Sequence, residues 1–85
     1  MSDIKELRNK IDEIDKAIAE LFEKRMQLAK EIGEYKKTNN LPILDSKREE
    51  EVIAKNLKYI KDESLKAYYE ELLKEIMNLS KRYQK

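Results

Sequence analysis

The chain has 85 residues, 44% charged and 40% hydrophobic, with one Gly, one Pro and neither Cys nor His. That bounds it to one domain with a small core and excludes a disulfide framework, a thiol nucleophile, a Ser–His triad and Cys- or His-ligated zinc. Nineteen basic against eighteen acidic side chains leave a net charge of +1, which gives no general pull toward nucleic acid or anionic lipid.

The first element carries a heptad seam. Ile4, Leu7, Ile11, Ile14, Ile18, Leu21, Leu28, Ile32 and Tyr35 recur at alternating steps of three and four, and the step missing from the series is Arg25. Ser2 or Asp3 can cap the start, and Asp3 and Glu6 suit the positive end of the helix dipole. Gly33 costs the helix ~1 kcal/mol relative to Ala without ending it. Thr38-Asn39-Asn40 and Leu41-Pro42 do end it, because Pro42 disfavours helix in its predecessor. The first helix is therefore predicted from about Asp3 to about Lys37.

A second helix starts near Asp45 or Ser46. Ser46-Lys47-Arg48-Glu49 reads as a capping box, and Asp45 is an equally good cap. Val52, Ile53, Leu57 and Ile60 supply its apolar stripe. After a polar break at Lys61-Asp62-Glu63-Ser64, with Asp62 as cap, a third helix runs nearly to the C-terminus. It is expected to bury Leu65, Tyr69, Leu72, Leu73, Ile76, Met77 and Leu79.

The shortage of turn formers agrees with these elements, so the expected fold is all-α. It is a single domain over residues 1–85, a three-helix protomer with one long N-terminal helix. About 35 helical residues at 1.5 Å each span roughly 50 Å. A compact chain of this size has a radius of gyration of only about 12 Å. The first helix outruns the cover its own chain can provide, and its seam does too, so an intertwined homodimer is expected. No apolar run reaches the ~20 residues that span a bilayer, and the first residues lack a signal peptide's apolar core. The expected location is the cytoplasm, with no membrane or nucleic-acid partner.

Several polar residues interrupt the apolar pattern. Arg25 lies on the seam between Leu21 and Leu28, and burying an unpaired guanidinium costs several kcal/mol. An anionic ligand could meet it, or a glutamate on a neighbouring helix. Lys36 follows eleven residues later, about 20° around the helix and ~16 Å along it. Asp45, Arg48 and Glu49 share the first turn of helix two, while Ser80 and Gln84 prolong the stripe of Leu73 and Met77. Each also has a local explanation. Arg8 could pair with Glu6 or Asp12, Lys36 could sit in solvent beside Lys37, and Asp45 could simply cap. Arg48 could pair along its own helix, Glu49 could close the capping box, and Ser80 and Gln84 could fray.

In order along the chain, Leu7-Arg8-Asn9-Lys10-Ile11-Asp12, Arg25 within Glu23-Lys24-Arg25-Met26-Gln27-Leu28-Ala29, and Ile32-Gly33-Glu34-Tyr35-Lys36 form a recognisable set. With Pro42, Asp45, Arg48-Glu49 and Ser80-Lys81-Arg82-Tyr83-Gln84, that set resembles the all-helical AroQ-type chorismate mutases across nearly the whole chain. The resemblance implies the rearrangement of chorismate to prephenate, on the route to Phe and Tyr, by an interlocked homodimer with two shared sites. It implies that Arg25 and the partner's Arg8 hold the two substrate carboxylates. Lys36 and Gln84 would donate to the breaking ether oxygen, Glu49 would take the ring hydroxyl, and Asp45, Arg48 and Ser80 would complete the lining. No cofactor or metal is implied, and a pericyclic shift needs none, since it passes no proton to the enzyme and forms no adduct. Two other readings stand beside it. One is an isochorismate pyruvate-lyase, from which the Asp45/Arg48/Glu49 set leans away. The other is a non-catalytic helical dimerisation module, which leaves Arg25 unexplained.

Overall fold

A computed structural model describes residues 3–85. Among them the chain forms α1 (Ile4–Thr38), α2 (Ser46–Leu57) and α3 (Lys66–Gln84), with a 3-10 turn at Glu63–Leu65 leading into α3. The fold is all-α, as the composition and periodicity indicate.

The helices α1 and α2 and the 3-10 turn each begin where a short acidic side chain can satisfy a free backbone N–H, whereas α3 continues from the turn with no side-chain cap. Asp3 caps α1 by accepting from the Glu6 N–H at 2.8 Å; Ser2, the other candidate cap, lies outside the described residues. At the far end the Asn39 side-chain amide donates to the Tyr35 carbonyl at 2.9 Å. Asn40 then takes a φ of 55°, in the left-handed region that Asn tolerates better than most residues, and turns the chain toward Leu41-Pro42.

The start of α2 resolves in favour of Asp45. Its Oδ1 accepts from the Arg48 N–H at 3.0 Å, and its carbonyl accepts from the Glu49 N–H at 3.0 Å. Ser46 becomes the first helical residue rather than the cap. The capping box therefore does not form, and the Glu49 carboxylate stays available for another partner. Asp62 caps the 3-10 turn, with Oδ1 accepting from the Ser64 hydroxyl at 2.7 Å and the Ser64 N–H at 3.0 Å. Those bonds, the hydroxyl's first, hold its carboxyl below the usual carboxylate range.

Both α1 and α2 pack on α3. The buried positions are Ala29 and Gly33 on α1, and Leu73, Met77 and Ser80 on α3. So thin a core lets the helix backbones approach closely but leaves much apolar surface uncovered. Leu65 and Leu72, expected inside, are 50% and 52% exposed, and Tyr69, Ile76 and Leu79 are only half-buried. The stripe of α3 is wider than the strip of it that α1 and α2 cover.

The N-terminal half of α1 carries the same feature further. Every residue from Asp3 to Lys24 is exposed, and the seam residues Ile4, Leu7, Ile11, Ile14, Ile18 and Leu21 are 48–64% exposed. The chain measures 57 × 25 × 15 Å with a radius of gyration of 16.2 Å, against roughly 12 Å for a compact chain of this length. Among the described residues no helix is long and apolar enough to cross a membrane.

Candidate active site

The second half of α1, the first turn of α2 and the last turns of α3 enclose an open pocket of about 370 Å³. That volume is in the range of small-molecule sites. Leu28, Ile32, Val52 and Met77 give it apolar walls. Of the eight residues singled out in the sequence, Arg25, Lys36, Asp45, Arg48, Glu49, Ser80 and Gln84 line it together. Arg8 does not. It is exposed on α1, seventeen residues before Arg25 and hence roughly 25 Å away along the axis.

Arg25 is half-buried, and its Nη1 donates to the Ser80 hydroxyl at 2.7 Å. Ser80 is only 6% exposed and passes its own hydrogen to the Ile76 carbonyl at 2.8 Å. Among the described residues no carboxylate pairs with Arg25, so the interhelical salt bridge that could have explained it does not form. Its charge faces a neutral hydroxyl and the pocket. Ser80, far from fraying, is a fixed and fully bonded group beneath that guanidinium.

Lys36 Nζ donates to the Ile43 carbonyl at 2.8 Å and lies 3.5 Å from Gln84 Oε1. An ammonium has three donors, so one N–H remains for a ligand. With Oε1 turned to Lys36, the Gln84 amide N–H₂ has no protein acceptor among the described residues. Two donors from different helices thus stand side by side at one end of the pocket.

Gly33 explains how Gln84 arrives there. A Cβ at Gly33 would lie 2.9 Å from Gln84 Cβ and 3.0 Å from its Cα. The sequence marks Gly33 only as a weak point of α1. Its purpose is visible only once α3 crosses that turn, and nothing in a single helix's periodicity signals it.

Glu49, freed from the capping box, pairs through Oε2 with Lys81 Nζ at 2.9 Å. Lys81 lines the same pocket and was not selected from the sequence. A signal was present, because Lys81 lies one turn beyond Met77 on a continuation of the Leu73–Met77 face. Arg48 is exposed and reaches only Glu51, at 3.9 Å, a solvated pair of small energetic weight. Asp45 is exposed and serves as the cap described above. Counting formal charges, Arg25, Lys36, Arg48 and Lys81 face Asp45 and Glu49, which leaves the lining positive and suited to an anion.

Three helices around a pocket that sets cations beside neutral donors define a helical protein whose lining suits a small anion. The chorismate mutase type II family matches residues 7–85, and the chain belongs to that family. It is 39% identical over 90 residues to a bifunctional chorismate mutase/prephenate dehydratase of Aquifex aeolicus, an alignment covering 96% of this chain and 25% of that protein. It is 38% identical over 60 residues to a chorismate mutase of Methanocaldococcus jannaschii, covering 71% of this chain and 61% of that one. The chain thus spans a quarter of the first relative's length and under two thirds of the second's. A solved structure of a conserved hypothetical protein from Pyrococcus furiosus superposes with a TM-score of 0.82 at 38% identity, over 100% of this chain and 99% of that one.

Proposed function

We propose that this protein rearranges chorismate to prephenate, acting in the cytoplasm as a homodimer with two shared sites. The observation that carries the reading is the convergence of Arg25, Lys36 and Gln84 on one pocket, with no carboxylate among the described residues claiming the guanidinium. Arg25 binds one substrate carboxylate bidentately, held in place from below by Ser80. The second carboxylate needs another arginine, and Arg8 of the same chain is too far along the helix. The partner's Arg8 fills that role when two copies pair along the exposed seam of α1.

Clamping both carboxylates selects the compact diaxial conformer, in which the carbons that bond are brought together. Orientation of this kind can account for several kcal/mol of barrier. As the ether C–O bond breaks, negative charge grows on its oxygen. Lys36 and Gln84 are fixed donors aimed at that charge, and one preorganised donor is worth about 3 kcal/mol. Glu49 accepts the ring hydroxyl, with Asp45 and Arg48 at the rim. The bonds formed and broken lie within the substrate, so no general base or nucleophile is required.

The test is to incubate the purified protein with chorismate and with isochorismate in parallel and identify the products. Prephenate from chorismate is expected. Pyruvate released from isochorismate, without prephenate, would instead establish a lyase. Consumption of neither would leave a dimerisation module.

A further inference from the structure

The Glu49–Lys81 pair is the ion pair that joins two helices among the described residues, the others linking positions three or four apart on the same helix or turn. Both side chains are largely shielded, at 28% and 30% exposure, and both line the pocket. Glu49 arises from the first turn of α2 and Lys81 from the end of α3, so the contact fixes the two ends of the pocket wall against each other. It occupies Oε2 alone; Oε1 has no protein partner among the described residues.

We propose that Lys81 is a positioning residue for the reaction, acting through Glu49. Its ammonium anchors the carboxylate by one oxygen so that the other is held ready for the substrate's hydroxyl. It has a second effect on the same group. The substrate is a dianion, and an unpaired Glu49 would present it with a bare negative charge. Lys81 offsets that charge without withdrawing the acceptor. An arginine could do the same from this position, whereas an uncharged side chain of equal length could not.

This inference rests on the mutase reading, so the experiment begins with the parent protein's conversion of chorismate to prephenate, and an inactive parent would overturn both. With an active parent, Lys81→Met should lower kcat/KM about tenfold, mainly by raising KM, since a hydroxyl contact made alike in ground and transition states is uniform binding. Lys81→Arg should restore it to within about threefold, because the charge returns but the point-like ammonium geometry does not. In a Glu49→Gln background, Lys81→Met should change kcat/KM by less than about twofold, as a residue acting through another must. Circular dichroism checks that each variant is folded; if Lys81→Met is not, Lys81→Gln carries the same comparison. A folded Lys81→Met or Lys81→Gln enzyme with the parent's KM and kcat would overturn the role. So would a loss that persists undiminished without the Glu49 carboxylate.

Discussion

Gly33 and Gln84 approach so closely that a single methyl group on Gly33 would come within 2.9 Å of the Gln84 Cβ. The contact is to backbone as well as side chain, with Gln84 Cα at 3.0 Å, so rotating the glutamine cannot relieve it. Gly33→Ala sets a helix-propensity gain of ~1 kcal/mol against this clash. The end of α3 has to retreat, taking the amide away from Lys36. The thermal midpoint should therefore change little while kcat falls about tenfold or more, as small misplacements of a catalytic group do. Steady-state kinetics and a melting curve on the purified variant check both halves, and an unchanged kcat would dissociate the helix crossing from the chemistry.

Gln84 itself offers a prediction in pH. An amide donates at any ordinary pH, so the parent's rate should not rise in mild acid through this group. In Gln84→Glu the carboxylate opposes charge growing on the ether oxygen and also ties up Lys36, 3.5 Å from the present Oε1. At about pH 7.5 kcat should drop by roughly 10²–10³. Protonation turns the acid into a donor, so activity returns as pH falls. Lys36 favours the ionised form in the free enzyme, whereas the bound dianion favours the protonated one. The recovery should therefore begin at higher pH in kcat than in kcat/KM. Coincident pH profiles for parent and variant would remove Gln84 from the breaking bond.

Arg25→Ala should abolish turnover and spare the fold. The guanidinium loses one hydrogen bond to Ser80, and Ser80 keeps its bond to the Ile76 carbonyl, so no buried donor is stranded. A change of about 1 kcal/mol is expected, which moves the midpoint of a domain this size by under about ten degrees. Loss of activity without that much destabilisation is the signature of a ligand-binding charge. A larger fall in the melting temperature would make Arg25 a structural strut.

The periodic part of this organisation was legible in the sequence because it is one-dimensional. The seam of α1, its missing step at Arg25 and the stop before Pro42 can all be read by counting. Whether Asp45 or Ser46 capped α2 could not be read, since both residue types accept the same backbone hydrogen bonds. The burial assigned to Leu65 and Leu72 failed for a different reason: a stripe records that a face is apolar, not what covers it. Gly33 gains its meaning from one helix lying against another, and no spacing within a single helix announces that; the spacing of Lys81 from Met77 marks its face, but its pairing with Glu49 shows only in the fold. Arg8 is the reverse case, chosen by resemblance and left by the fold far from its proposed partners.

That separation can be tested by complementation. Arg8→Ala and Arg25→Ala homodimers should each be inactive, yet a mixed dimer contains one site with both arginines intact. Co-expression with two affinity tags and tandem purification should recover about half the parent's activity per dimer, as expected for two independent sites related by symmetry. Verified mixed dimers that remain inactive would argue that the two arginines do not meet at one substrate.

The unbroken length of α1, from Ile4 to Thr38, has a genetic corollary. If each rod serves one pocket at its own end and the neighbour's pocket at the other, a chain defective at both ends spoils every dimer it enters. Expressed at equal levels with the normal chain, such an allele would leave only about a quarter of randomly formed dimers working, rather than half the sites. It would behave as a dominant-negative allele. The two single defects on separate chains would partly rescue each other, so inheritance itself would report which residues share a substrate.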